Sequence, residues 1–231
     1  MFTGWIRGLL EALPSQCMVC HAWPGQGVCE ACVNRFAQPQ DRCRSCALAV
    51  PPGVAQCGQC IRNPPPLDRC LTAVSYAYPW SDLIAGFKFH QHPGRAGAFA
   101  LLLRSAPWVE PALEAADKVL PMPLSSARLR WRGFNQALLL ARQLAPEKTD
   151  PHLLLRIKDT APQVSLPRSE RLSGLHDAFA VDPLLARQIR GARLVLVDDV
   201  MTSGASLFAA ARVLRAAGAA HITGLVIART E

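Results

Sequence analysis

The chain has 231 residues, half of them hydrophobic, and a formal net charge of +8 at pH 7. That length suits one main domain with an appendage. Charges or prolines interrupt every apolar stretch within the ~20 residues a membrane helix needs, so a soluble, cytoplasmic protein is expected, and +8 is a modest excess for a protein devoted to nucleic acid.

The first seventy residues are set apart by their cysteines. Cys17, Cys20, Cys29 and Cys32 form one CxxC...CxxC set, and Cys43, Cys46, Cys57 and Cys60 form a second, with eight and ten residues between the pairs. Two thiolates a short turn apart make half of a tetrahedral soft-metal site, so eight cysteines fit two structural zinc ions. A disulfide framework would need an oxidising compartment. No secretory signal points to one: Glu11 interrupts the short apolar run of Met1 to Leu13, and Pro14 to Cys17 lacks a small-residue cleavage pattern. Spacing leaves open whether the two sites are sequential or interleaved. Cys70 is left over and reads as a small buried hydrophobe. The run NPPP at 63–66 marks a linker, which divides the chain into a double zinc ribbon at 1–65 and a second domain at 66–231.

Beyond the linker, Ala73 to Tyr78 reads as a strand and Trp80 to Phe89 as a short helix carrying Lys88, with His90 and His92 as surface residues. Val119 to Leu124, VLPMPL, is a strand that breaks at two prolines. Ser125 to Gln136, SSARLRWRGFNQ, follows as a basic loop entering a helix at Ala137 to Leu144. Between Arg128 and Arg193 there are twelve Lys or Arg against six Asp or Glu, so this stretch holds +6 of the net +8. Anion handling is the obvious use, although any single arginine is also compatible with a solvated surface. Gly133, Asn135 and Gln136 could order the loop or reach a ligand. Arg156 to Arg171, RIKDTAPQVSLPRSER, has two prolines and little periodicity.

The most informative segment is Leu196 to Ser206, LVDDVMTSGAS. The apolar run Leu194 to Val197 suits a buried parallel strand, and Leu207 to Ala217 has helix-forming composition. The turn between them is a polar cup. A helix N-terminus presents unpaired N–H groups and a partial positive charge, so Thr202, Ser203, Gly204, Ala205 and Ser206 could wrap a phosphate with amides and three hydroxyls. Asp198 and Asp199 would repel that phosphate unless hydroxyl donors or a metal ion stand between. A ribose 5-phosphate has that layout, with the phosphate at one end and a 2',3'-diol at the other. A capped helix after a solvated strand end is the plainer alternative. Val226 and Ile227 mark a last strand, and the alternation of strand and helix from residue 115 implies a mostly parallel sheet with helices on both faces. Its ligand belongs at the carboxyl ends of the strands.

LVDDVMTSGAS resembles the phosphoribosyl pyrophosphate (PRPP) loop of type I phosphoribosyltransferases. Together with PMPL, RGFNQ, Gln163, Arg171 and the cysteine-rich start, it makes nearly the whole chain similar to the ComF (competence protein F) family of predicted phosphoribosyltransferases. The resemblance implies an α/β fold of that type, with PRPP and Mg2+ bound together. Asp198 and Asp199 would hold the ribose diol, and Thr202 to Ser206 the 5-phosphate. Ser125, Ser126, Ala127 and Arg128 would lie at the pyrophosphate, whose charge Arg128, Arg130 and Arg132 would stabilise. Lys88 stands in an FK(F/Y) pattern that could reach the active site. Gln136 would contact PRPP, and residues 156–171, with Gln163 and Arg171, resemble a mobile loop that closes over it. The implied activity is phosphoribosyl transfer to a nitrogen acceptor that the sequence does not identify. Two other roles stay open: a PRPP or nucleotide sensor without turnover, and a factor handling single-stranded DNA or meeting the DNA-uptake machinery, to which relatives are linked. Oligomeric state is not legible.

Overall fold

The computed structural model describes residues 16–23, 27–89, 92–158 and 178–231. His90, Gln163 and Arg171 lie outside them. The chain forms two compact units, Met1–Gln38 and Pro39–Glu231. The division expected at 65 therefore falls inside the larger unit, because the second cysteine set packs into the same core as the sheet.

In the smaller unit, Cys17 and Cys20 occupy a tight turn and Cys29 precedes α1 (Glu30–Phe36). The larger unit opens with a near-copy, in which Cys57 precedes α2 (Gly58–Arg62). In each, the residue after the second cysteine has a left-handed backbone, with φ 59° at His21 and 57° at Ala47. The amide of each donates to the first cysteine's carbonyl, at 2.9 and 2.8 Å. The two knuckles are one supersecondary unit used twice.

The larger unit then builds a parallel sheet from β1 (Arg69–Ser75), β2 (Lys118–Pro121), β5 (Arg193–Met201) and β6 (His221–Arg229), in the order β1-β6-β5-β2. Leu71, Leu225, Val197 and Pro121 lie in one row across it. β5 and β6 are apolar and buried on both faces, as strands covered by helices must be. A separate antiparallel pair, β3 (Leu154–Arg156) with β4 (Phe179–Val181), makes the strand content mostly parallel. Four helices bury residues at one spacing, i, i+3, i+4 and i+7: Trp80, Leu83, Ile84 and Phe87 in α3 (Trp80–Phe89); Ala96, Phe99, Ala100 and Leu103 in α4 (Ala96–Ser105); Ala137, Leu140, Ala141 and Leu144 in α7 (Gln136–Leu144); and Leu207, Ala210, Ala211 and Leu214 in α8 (Ala205–Ala216). That is the stripe an amphipathic helix turns to a core. α4 and α7 pack on each other and on one sheet face, and α8 packs with β4 on the other. A short α5 (Val109–Glu114) follows α4. Among the described residues no helix is long and apolar enough to cross a membrane.

Two local expectations differ from the structure. The strand after the linker starts at Arg69 and ends at Ser75, because pairing with β6 decides its extent. The basic segment expected as a loop contains a helix, α6 (Ser126–Arg132). Its ends carry the usual signals: the Ser125 hydroxyl accepts the Arg128 amide at 3.3 Å, and Gly133 closes the helix at φ 81°.

Candidate functional site

β5 carries Asp198 and Asp199 to the carboxyl end of the sheet, and the chain turns there through Thr202 to Gly204 into α8. Gly204 sits at φ 80°, and a Cβ on it would lie 2.5 Å from Met201 Cε and 2.6 Å from the Phe208 ring. Glycine is required here for both space and backbone. Asp198 and the segment Val200 to Leu207 line a small niche of about 40 Å³ at the start of the helix.

The niche adjoins a cleft of about 550 Å³ whose lining includes Lys88, Arg128, Arg132, Gln136, Arg156, Asp198, Asp199, Thr202 and Ser206. Residues from both ends of the larger unit's sequence thus converge on one opening. Lys88 arrives on the last turn of α3, anchored behind by Phe87, whose ring lies 5.4 Å from Phe99 and 6.0 Å from Phe134. Its ammonium donates to Asp199 Oδ1 at 3.0 Å and stands 2.9 Å from Oδ2. Asp199 is only 2% exposed, so this ammonium is its counter-charge. Arg132 is equally buried. Its Nη1 donates to Gln136 Oε1 at 2.6 Å, and its guanidinium carbon lies 5.3 Å from the centre of the Phe89 ring. Burial, and after it the neighbouring Asp199 charge, raise the Asp198 carboxyl from 3.8 to about 7, with Lys88 partly offsetting both.

Among the described residues, Arg132 Nε is a buried side-chain atom without a hydrogen-bond partner, whereas Asp199 Oδ2 is held by the Lys88 ion pair at 2.9 Å. Both belong to this cleft. Buried polar atoms are almost always satisfied, and each exception calls for an explanation; an anionic ligand that accepts from Arg132 Nε supplies one.

Other candidates sit elsewhere. Ser125 is buried as the cap of α6, while Ser126, Ala127 and Arg130 are exposed, and none of the four lines the cleft. Asn135 orders the chain: its side chain accepts the amides of Ala137 and Leu138, at 2.9 and 3.3 Å, and donates to the Met122 carbonyl at 3.1 Å. The cleft also has an apolar wall of Tyr76, Ile84, Phe89, Met122, Pro123 and Leu124, which sequence reasoning missed because nothing in the spacing of those residues distinguishes a wall from a core.

The two cysteine sets are sequential. Each brings its four Sγ atoms within 4.8 Å of one another. Cys20 and Cys29 are 3.6 Å apart at sulfur, and Cys46 and Cys57 3.8 Å. A tetrahedron with Zn–S bonds of ~2.3 Å has an edge of about 3.8 Å, so both groups fit zinc. Amides of Val19 and Cys29 point at Cys17 Sγ from 3.5 and 3.3 Å. Burial pushes that thiol up, but these amides and that of Cys20 outweigh it and bring it down to about 6, which favours the thiolate a metal needs. Cys70 stands apart, buried against Met201 Sδ at 3.5 Å and pushed up to about 12 by that burial.

Residues 132–230 match the Phosphoribosyl transferase domain family, and the fold is that of a phosphoribosyltransferase-like protein. The chain is 30% identical over 227 residues to DNA utilization protein YhgH of Salmonella typhimurium, an alignment covering 94% of this chain and 98% of that protein. It is 30% identical over 211 residues to Competence protein F of Haemophilus influenzae, covering 88% and 90%. With Competence protein ComFC of Bacillus subtilis it shares 34% over 113 residues, covering 48% and 44%. The chain belongs to the ComF family.

Proposed function

We propose that this protein binds PRPP with Mg2+ in the cleft and transfers the phosphoribosyl group to a nitrogen acceptor, releasing pyrophosphate. The observation that carries the reading is the buried, unpartnered Arg132 Nε, on a side chain that lines the same cleft as Asp198, Asp199 and the hydroxyl-bearing turn. The niche of Thr202 to Ser206 takes the 5-phosphate, with the start of α8 behind it. Asp198 and Asp199 accept hydrogen bonds from the ribose diol. Arg128 and Arg132 neutralise the pyrophosphate as it departs. In the reaction the bond from the anomeric carbon to the pyrophosphate oxygen breaks, a bond from that carbon to the acceptor nitrogen forms, and the acceptor releases a proton. The residues contribute position and charge, which is where most of the catalysis in such a displacement lies. Mg2+ would supply further positive charge on the pyrophosphate oxygens, and paired carboxylates suit a hard cation.

The two cysteine groups are read as structural zinc sites. Relatives bear the names DNA utilization protein and competence protein, which supports a second role in which this chain meets single-stranded DNA. A gel shift whose affinity falls steeply with salt would mark that role.

The decisive experiment incubates the protein with PRPP, Mg2+ and a pool of nucleobases and amines and measures pyrophosphate. Acceptor-dependent release, abolished by Asp198→Asn with Asp199→Asn, is expected. Each charge-assisted hydrogen bond lost is worth ~1.5–3 kcal/mol, so the double variant should bind PRPP on the order of a hundredfold more weakly. Tight binding with no product from any acceptor would make the protein a sensor, and no binding at all would overturn the reading.

A further inference from the structure

Arg229 closes β6 and is 7% exposed, yet among the described residues it forms no salt bridge. Its guanidinium is spent almost wholly on main-chain carbonyls. Nε donates to Cys46 O at 2.9 Å. The two N–H groups of Nη1 are shared among Met201 O at 3.2 Å, Thr202 O at 2.5 Å, the carbonyl of Thr230 and Thr230 Oγ1 at 3.2 Å. Cys46 belongs to the second cysteine group, and Thr202 opens the phosphate turn. One rigid, planar side chain therefore joins the metal knuckle to the anion niche. The contact between Cys70 Sγ and Met201 Sδ lies between the same two regions.

A guanidinium fork fixes the direction of the groups it holds. Peptide planarity carries that direction onward: a carbonyl and the next amide point opposite ways, so pinning Met201 O and Thr202 O also sets the Thr202 and Ser203 N–H groups. Thr202 and Ser203 both line the niche. A buried cation without a carboxylate partner is tolerated only where its hydrogen bonds are well made, so the arrangement is sensitive to the position of Cys46 O.

We propose that Arg229 is a positioning residue that couples the Cys43, Cys46, Cys57 and Cys60 group to the phosphate niche, so that a filled metal site is needed for tight anion binding although no cysteine touches the anion. The proposal rests on the reading of Thr202 to Ser206 as a phosphate site. Linkage makes the coupling reciprocal, and an anion in the niche must also hold the metal more firmly.

The test uses full-length, zinc-loaded protein and ribose 5-phosphate, with binding measured by calorimetry and zinc release followed with a colorimetric chelator. Coupling of ordinary strength shifts the equilibrium partition of zinc between protein and chelator about fivefold or more toward the protein. One of two zinc ions should respond, and in Cys17→Ser, which lacks a ligand of the first group, the remaining zinc should still respond. Arg229→Lys keeps the charge but lacks the planar fork that spans Cys46 O and the Met201–Thr202 turn; it should keep both zinc ions and lose the effect. If ribose 5-phosphate binds wild type and the zinc partition is unchanged, the coupling is wrong while the phosphate reading stands. If ribose 5-phosphate does not bind, the phosphate reading falls and takes the coupling with it. Because the reciprocal effect is read on the wild type, the proposal remains falsifiable even if Arg229→Lys misfolds.

Discussion

Replacing Asp198 with Asn separates the electrostatic demand of the site from the stability of the fold. Burial and the Asp199 charge raise this carboxyl from 3.8 to about 7. The folded chain thus binds the proton more tightly than the unfolded chain does. The group's contribution to stability is complete below pH 3.8 and is lost as pH rises through 7. Two units lie between pH 5 and the folded value, and each is worth ~1.4 kcal/mol, so wild type should lose about 2–3 kcal/mol from this group between pH 5 and pH 8. Asn cannot ionise and keeps an acceptor for the Asp199 amide, which Asp198 Oδ1 holds at 2.9 Å. Urea unfolding of both proteins without ligand, at unit steps from pH 5 to pH 8, reads the difference, and subtracting the two curves removes every group they share. The variant should gain on wild type by about 2–3 kcal/mol over that range while losing PRPP affinity. A gap that stays flat with pH would refute the account of two crowded acids.

Three further outcomes follow from the geometry. Lys88→Met leaves the buried Asp199 without its counter-charge; removing one partner of such a pair costs ~3–5 kcal/mol, and Lys88 is 25% exposed, so about 3 kcal/mol is expected from thermal unfolding, mostly recovered when Asp199→Asn is added. Gly204→Ala pushes a methyl group into Met201 and Phe208 at φ 80°; calorimetry should show loss of ribose 5-phosphate binding, with a stability cost of about 1–3 kcal/mol. Elemental analysis should find two zinc ions per chain. Cys17→Ser and Cys60→Ser should each lose one, but only Cys60→Ser should lower the unfolding transition of the larger unit, since Cys60 lies in its core.

The site was legible where chemistry is local in sequence. The strand carrying Asp198 and Asp199, the glycine turn and the helix after it are consecutive; Asp198 lines the niche, and both acids line the adjoining cleft. The cysteine sets were legible for the same reason. What resisted reading was assembled across the fold. That Lys88 meets Asp199, 111 residues away, depends on where α3 lies over the sheet, and the motif that placed a lysine there did not name its partner. α6 was read as a loop because its arginines obscured two end signals, Ser125 and Gly133, that together delimit a helix. Arg229 was overlooked although a lone charge at the end of an otherwise apolar strand is a detectable anomaly; only coordinates show that its partners are carbonyls.

The misplaced boundary at 65 has a physical cause in the sheet itself. β1 is an edge strand, since its pairing within the sheet is to β6 alone, and an unpaired edge invites association with other chains unless something covers it. The second knuckle provides cover: the Cys70 amide donates to Arg44 O at 2.7 Å, and Arg42 reaches Ser75 Oγ at 2.9 Å. The linker-like NPPP lies between two segments that are already fastened to each other. A metal site that covers a sheet edge belongs to the folding unit of that sheet. Losing its metal should therefore disturb the edge, and through Arg229 the phosphate turn, whereas the first knuckle lies in the other compact unit. Two copies of one motif are thereby given different dependents, and their metals should differ in how strongly the larger unit relies on them.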